Sequence, residues 1–566
     1  MRKTVLTTCA ILLVLTFAGA QAQHKGSAMS TSSVSVHLPG TAIAAMQKID
    51  PERIRQHVRF LSHDLLEGRG TGQRGGDIAA EYIATQFALE GLKPAGDHGS
   101  YMQKVPMVGI VPDPATKFSM VPANGAAVDL KPLEQYVAYD QTQQPQSEID
   151  ADIVYVGYGI EAPEYQWDDY KGVDVRGKIL LMLVNEPPSD DPNFFKGKAL
   201  TYYGRWTYKY EEGARKGAAG VILIHKTEMA SYPWEVVRNS NSGEKAFLQL
   251  DGSPKLKAAS WITSDVAQQI AVSAGLNLDK MMEDARSRDF HPVSLPVRLK
   301  AHMVSKVRPF WSNNVLAILP GSDANLKGEA VLYTAHYDHL GIRPEMAGDN
   351  IYNGANDNAT GCGILLDLAH AYGLSAQRPR RSILFAAVTG EEQGLLGSEY
   401  LGKHPPVPAE KISLDLNYDD LPPLGEPQEV EVSGSERTTF YPEVKSLAEV
   451  FRLAIRPDSR PEAGNYYRSD HFSLARVGIP SFSINEGMKY KGHDVAWGMQ
   501  QADEFTAKHY HQPSDEYRSD MNFIGDAAMA RFGFALGWQA ANQAKLVEWQ
   551  KGDEFEPARL ASATGK

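Results

Sequence analysis

From residue 312 onward the chain alternates short apolar runs with amphipathic stretches, and this alternation restricts it to an α/β sheet covered on both faces. The apolar runs fall at 315–319, 330–335, 382–388, 411–418 and 479–484. Apolar residues at helical spacing lie between several of them, as at 363–372. Three of the runs hand over almost directly to a histidine or an acid. V-L-Y-T-A leads into His336, S-I-L-F-A-A-V-T-G into Glu391 and Glu392, and K-I-S-L-D-L-N-Y into Asp419. The ends of strands are where α/β folds place ligand sites.

The upstream half has other textures. At 566 residues the chain exceeds one ordinary core and implies two or three domains. Helical spacing begins near Ile49 with Ile54, Val58, Phe60 and Leu61, and returns with Ile78, Tyr82, Ile83 and Phe87 up to Gly91. Between them, 67–77 (E-G-R-G-T-G-Q-R-G-G-D) is glycine-rich but lacks the Lys-Ser/Thr ending of a phosphate-binding P-loop. From about residue 135 the pattern is mixed, with β-like runs at 151–159 and 178–184 and a short helix at 211–217 leading into a strand at 219–224. The segment from residue 551 reads as a loose tail.

The N-terminus reads as an export signal. Arg2 and Lys3 precede an apolar run at 10–18, and Ala20-Gln21-Ala22 forms a small-x-small site. Residues 1–22 are therefore expected to be a signal peptide, cleaved after Ala22, giving a periplasmic or secreted protein. Cys9 lies inside that signal without the small-residue run of a lipoprotein signal, which leaves Cys362 as the one thiol of the mature chain. No intramolecular disulfide is then possible, and Cys362 reads as a small buried residue rather than a nucleophile. The net charge of −12 argues against a nucleic-acid or anionic-membrane surface. No later segment approaches the length of a membrane helix.

Five residues form a candidate ligand set: His336, Asp357, Glu392, Asp419 and His511. Two imidazoles and three carboxylates suit two Zn2+ ions, with one carboxylate shared. Asp338 is placed to accept the second ring N–H of His336 or to brace the site. Asp357 lies in an Asn/Gly loop that opens a helix, where an acid also serves as a cap. Glu391, the acid beside a ligand, is assigned to proton transfer. Asp415 and Asp420 are rivals of Asp419, and His509 of His511. Tyr510 is placed to donate to a developing oxyanion, and Asp515 to orient an imidazole.

These motifs (T-A-H-Y-D-H-L-G, G-A-N-D-N-A-T-G, T-G-E-E-Q-G, L-N-Y-D-D and H-Y-H-Q-P-S-D) resemble those of the two-zinc exopeptidases of the bacterial leucyl aminopeptidase, glutamate carboxypeptidase and transferrin-receptor-like superfamily. The resemblance implies a three-layer α/β/α phosphorylase/hydrolase-like catalytic domain, discontinuous over 45–134 and 305–548. It also implies an inserted, β-rich protease-associated-like domain at 135–304. L-S-H-D-L-L-E-G-R-G-T-G and R-S-D-H-F-S-L-A-R-V-G-I-P, the latter with Asp470 and His471, are further family-like stretches. N-Y-D-D departs from a D-M pair common in the family, which touches metal tuning and the pocket wall. The implied activity is hydrolysis of N-terminal residues of peptides, with Glu391 as general base. A carboxypeptidase or dipeptidase would need basic residues for a terminal carboxylate, for which Arg437 and Arg468 are candidates. The full ligand set counts against a one-zinc cyclising transferase, and a non-catalytic binding protein on this fold would have lost ligands.

Overall fold

The computed structural model describes residues 38–344 and 346–564. The leader expected at 1–22 lies outside them.

A large mixed sheet carries the second half of the chain. Its order is Lys245–Leu248, Met102–Pro112, Val293–Leu319, Ser382–Val388, Ala330–His336, Ile412–Asn417, Ser481–Glu486 and Glu429–Ser433. The four strands from Ser382–Val388 to Ser481–Glu486 are mutually parallel. Parallel strands need crossovers, and the crossover helices cover both faces, so these strands are apolar throughout rather than alternating. The Ala330–His336 strand shows it: Val331, Tyr333 and Ala335 join one core, whereas Ala330 and Leu332 join another on the opposite face. The first core is closed by Pro51–Leu61, Arg74–Leu89, Thr360–Gly373 and Ile524–Asn542. The second includes Leu401 and Leu474 from the Leu396–Lys403 and His471–Arg476 helices. The three layers are those expected.

The 27-residue strand Val293–Leu319 belongs to two sheets. Its residues 305–315 pair with Met102–Pro112 in the large sheet, and 297–302 pair with Lys117–Pro122 in a smaller one. The smaller sheet also holds Gln146–Tyr155, Ile179–Leu183, Gly220–His225 and Ala258–Thr263, over its own hydrophobic clusters. Two pairings cross the change of texture at residue 135. Lys117–Pro122, upstream of it, sits in the smaller sheet, and Lys245–Leu248, downstream, adds to the large one.

The segment from residue 551 is not a loose tail. Glu556–Thr564 is helical, and Arg559, 4% exposed, donates to the carbonyls of Ala409 and Ile412. Asp553 and Glu554 pair with Arg437. The segment is polar in composition, but its charges satisfy buried partners on the main body.

The glycine-rich loop is a buttress. Arg69 is fully buried and donates to the carbonyls of Tyr337, Leu61, Asn353 and Gly354 at 2.5–2.8 Å. It ties the Pro51–Leu61 helix to the chain just after His336 and just before Asp357. Arg69→Met would leave these carbonyls unpaired, each at about 1–3 kcal/mol. Denaturant unfolding should show a loss of at least about 3 kcal/mol. A change within about 0.5 kcal/mol, the range of neutral surface substitutions, would contradict the buttress role.

Candidate metal centre

The parallel strands deliver the site. His336 ends the Ala330–His336 strand, Glu391 and Glu392 follow Ser382–Val388, and Asp419 follows Ile412–Asn417. Asp357 comes from the turn Ala355–Ala359 before the Thr360–Gly373 helix, and His511 from the loop after the Val495–Lys508 helix. Gly354 opens that turn at φ 57°, and a Cβ there would collide with the Asp357 carbonyl. Glycine is thus required on both counts.

The five predicted ligands converge. Asp357 Oδ1 lies 3.4 Å from His336 Nε2, and Asp357 Oδ2 lies 3.3 Å from His511 Nε2. His336 Nε2 is also 3.0 Å from Asp419 Oδ1, and His511 Nε2 is 3.1 Å from Glu392 Oε2. Asp357 therefore stands between two imidazole–carboxylate pairs. It makes no capping bond to the helix behind it. Instead, the backbone N–H groups of Asn356 and Asp357 donate to Asp515, each at 3.0 Å. Asp515 was expected to orient an imidazole. It orients the Asp357 loop, because its carboxylate sits under those two N–H groups.

Asp338 also differs from expectation. The ring partner of His336 Nδ1 is the Asp338 carbonyl at 3.2 Å, not its carboxylate. The carboxylate accepts from Thr71 Oγ1 at 2.7 Å and from the Glu391 N–H at 3.1 Å, bracing the strand end that carries both glutamates. Tyr510 stacks on His511 with ring centroids 4.0 Å apart and lines the cleft beside the cluster. The rivals have other partners: Asp415 accepts from Thr334 within the sheet, and His509, on the cleft wall, bonds to Ser514. Asp420 lies on the cleft wall, exposed and at φ 55°.

Sequence reasoning missed His339. Its Nδ1 is 2.5 Å from Glu392 Oε1 and 3.9 Å from Asp357 Oδ2, and the side chain is wholly buried. Two groups of donor atoms are thus close enough to hold one cation each: His336, Asp357 and Asp419, and His339, Asp357 and Glu392. The signal was the fourth residue of H-Y-D-H. His511 reaches the second group too, and it has the better credentials as a ligand. Its other ring nitrogen is 2.9 Å from Ser240 Oγ, whereas His339 Nε2 is buried with no partner among the described residues. Ligating histidines characteristically have the second nitrogen hydrogen-bonded.

The electrostatics favour cations. Burial alone would disfavour the imidazolium of His511, but Glu392 and Asp357 outweigh it and push the group up to about 10. His336 is likewise held well above its ordinary value against burial, by Asp419 and Glu391. Burial raises Glu391 far above the carboxylate range, with Asp419, Glu392 and Asp470 adding repulsion. Glu392 goes down to about 2: burial opposes this, and His511 and His339 overcome it. Protons on the histidines thus occupy the role that bound cations would take, and the donor set of imidazoles and carboxylates fits zinc.

Residues 314–532 match the family model described as Peptidase family M28. A probable zinc metalloprotease of Pyrenophora tritici-repentis is 30% identical over 149 residues, 26% of each chain. Leupeptin-inactivating enzyme 1 of Streptomyces exfoliatus is 26% identical over 236 residues, 40% of this chain and 47% of that one. The match thus spans about a quarter to a half of these curated relatives. The structure of an aminopeptidase from Aneurinibacillus sp. strain AM-1 shares the fold, with a TM-score of 0.52 and 18% identity, covering 90% of this chain and 98% of that one.

The metal-free protein should be pH-sensitive. A histidine raised from 6.5 to about 10 contributes stability that is complete below pH 6.5 and lost as pH rises through 10. Thermal melts of chelated protein should fall between pH 6.5 and pH 9, and added zinc should restore the midpoint at pH 9. A chelated protein whose midpoint does not fall over that range would contradict the histidine assignment.

Proposed function

We propose that the chain is a two-zinc exopeptidase that removes N-terminal residues from peptides. The observation that carries this reading is the Asp357 carboxylate, with one oxygen toward the Nε2 of each of two imidazoles and a further carboxylate against that same nitrogen on each. His336, Asp357 and Asp419 would hold one ion, and Asp357, Glu392 and His511 the other. We also assign 135–304 as an inserted protease-associated-like domain, and 1–22 as a leader for export. Among the described residues no helix is long and apolar enough to cross a membrane.

Bound zinc supplies Lewis acidity and lowers the pKa of a coordinated water. Glu391 lines the cleft, its backbone is fixed by Asp338, and among the described residues no protein group bonds its carboxylate. That leaves it free to accept the proton of the attacking water and return it to the leaving amine. A carboxylate raised above its ordinary value by burial suits a group that both takes and gives a proton. Tyr510, on the wall beside His511, would donate to the oxyanion.

The cleft, of about 1060 Å³, favours an amine over a carboxylate. Its wall includes Asp419, Asp420, Glu431, Glu462, Glu486 and Glu504 alongside Glu391. Of its arginines, Arg460 pairs with Asp503 and Arg518 with Asp520. Arg437, one candidate for a substrate carboxylate, is engaged with Asp553 and Glu554 away from the cleft. Arg468 does line it, with Nε on the Ala463 carbonyl and Nη2 on that of Ala230. It is the residue on which a carboxypeptidase or dipeptidase would depend.

Aminoacyl anilides, N-acetylated peptides and peptides with free termini decide between these. Losing a charged hydrogen-bonded contact costs about 1.5–3 kcal/mol, so N-acetylation should slow hydrolysis by roughly ten- to a hundredfold. Equal rates on blocked and free peptides would promote the carboxypeptidase reading. The adjacent glutamates should separate in the same assay. Glu391→Gln should retain metal and lose turnover, because an amide neither accepts nor returns the proton, whereas Glu392→Gln should lose metal. The reverse pattern would overturn their assignment.

A further inference from the structure

The two candidate metal positions are braced from different parts of the chain. Around His336 and Asp419 the supports come from the large-sheet body: the Asp338 carbonyl on His336 Nδ1, and Cys362 Sγ on the His336 carbonyl. Around Glu392 and His511 they come from residues 239–246. This stretch lies in sequence between two strands of the smaller sheet, Gly220–His225 and Ala258–Thr263.

Each support is specific. Ser240 Oγ is 2.9 Å from His511 Nδ1, and Asn239 Nδ2 donates to the His511 carbonyl at 3.3 Å. His511 sits at φ 56°, a left-handed conformation that a histidine adopts at some cost and that needs holding. Lys245, 9% exposed, donates from Nζ to the Glu392 carbonyl at 3.3 Å. The next N–H, that of Ala246, donates to Gln393 Oε1 at 2.9 Å. Lys245–Leu248 then pairs with residues 107–110 as a strand on the edge of the large sheet. One short segment thus grips both residues that would complete one metal position, and makes no such contact with the other.

The chemistry at His511 gives the grip a function. Its Nε2 faces Glu392 and Asp357, so ligation needs that nitrogen unprotonated. The ring proton then sits on Nδ1 and is donated to Ser240 Oγ. A bonded second nitrogen fixes the tautomer and ring plane of a ligating histidine, and losing such a partner costs about 10–100-fold in metal affinity.

Resting on the two-zinc reading above, we propose that segment 239–246 assembles the Asp357–Glu392–His511 position, with Ser240 as its positioning residue, and that the His336–Asp357–Asp419 position forms without it. Docking of this segment and occupancy of that one position are then coupled, and the coupling is reciprocal.

Zinc titration of the full chain against a competing chromophoric chelator tests this. Wild type should take up two equivalents. Ser240→Ala and Asn239→Ala should keep one equivalent at wild-type affinity and weaken the other by about 10–100-fold. Ser240→Thr, which retains the hydroxyl, should restore it. Hydrogen exchange in 239–248 should slow on zinc loading in wild type and not in Ser240→Ala. Superimposable far-UV spectra of the metal-free variants and the Thr rescue separate this effect from misfolding. Two unchanged equivalents in both alanine variants would overturn the inference, as would equal weakening of both. Uptake of one equivalent by wild type would overturn the two-zinc reading instead, and with it the inference.

Discussion

Everything near the centre depends on the buried carboxylate of Asp357 shared between two imidazoles. It is 4% exposed, with Asp419, Glu391 and Glu392 nearby. So many acids in an apolar shell are unfavourable unless positive charge accompanies them. The surrounding structure supplies partners at every level. Asp515 accepts the N–H groups that shape the loop, Arg69 fills the carbonyls beneath it, and His336 and His511 bring the positive charge. Removing any one of these leaves a polar group buried without a partner.

The topology explains why this constellation forms at all. Parallel strands share a direction, so their carboxyl ends lie along one edge, and His336, the Glu391–Glu392 pair and Asp419 are gathered there from three segments far apart in sequence. The two adjacent glutamates then part company. Glu392 turns into the histidines and is held ionised, whereas at Glu391 burial, with repulsion from Asp419, Glu392 and Asp470, outweighs the attraction of His336 and the carboxyl stays high. Two identical side chains, one residue apart, thereby take up opposite protonation tendencies from their surroundings alone.

Much of this was legible in the chain. Continuous apolar runs marked strands buried on both faces, and the polar residues closing three of the runs marked the site, because a strand end is a local feature. Partnerships between distant segments were not legible. Nothing around Ser240 or Asn239 announces contact with His511, some 271 residues away. Arg69 sat in a loop whose glycines invited comparison with a phosphate cradle, yet its guanidinium is spent on four carbonyls. His339 was printed in its motif and passed over, because sequence spacing does not say which way a side chain turns after the strand ends. The polar segment from residue 551 was misjudged for a related reason: composition reports the cost of burial, not whether partners such as Arg437 await.

The central claim is that two cations share Asp357. Diffraction from zinc-soaked crystals, recorded above and below the zinc absorption edge, addresses it directly. The anomalous difference map should show two peaks flanking Asp357, one against His336 and Asp419 and the other against Glu392 and His511. A single peak, or a pair in which Asp357 contacts only one ion, would contradict it.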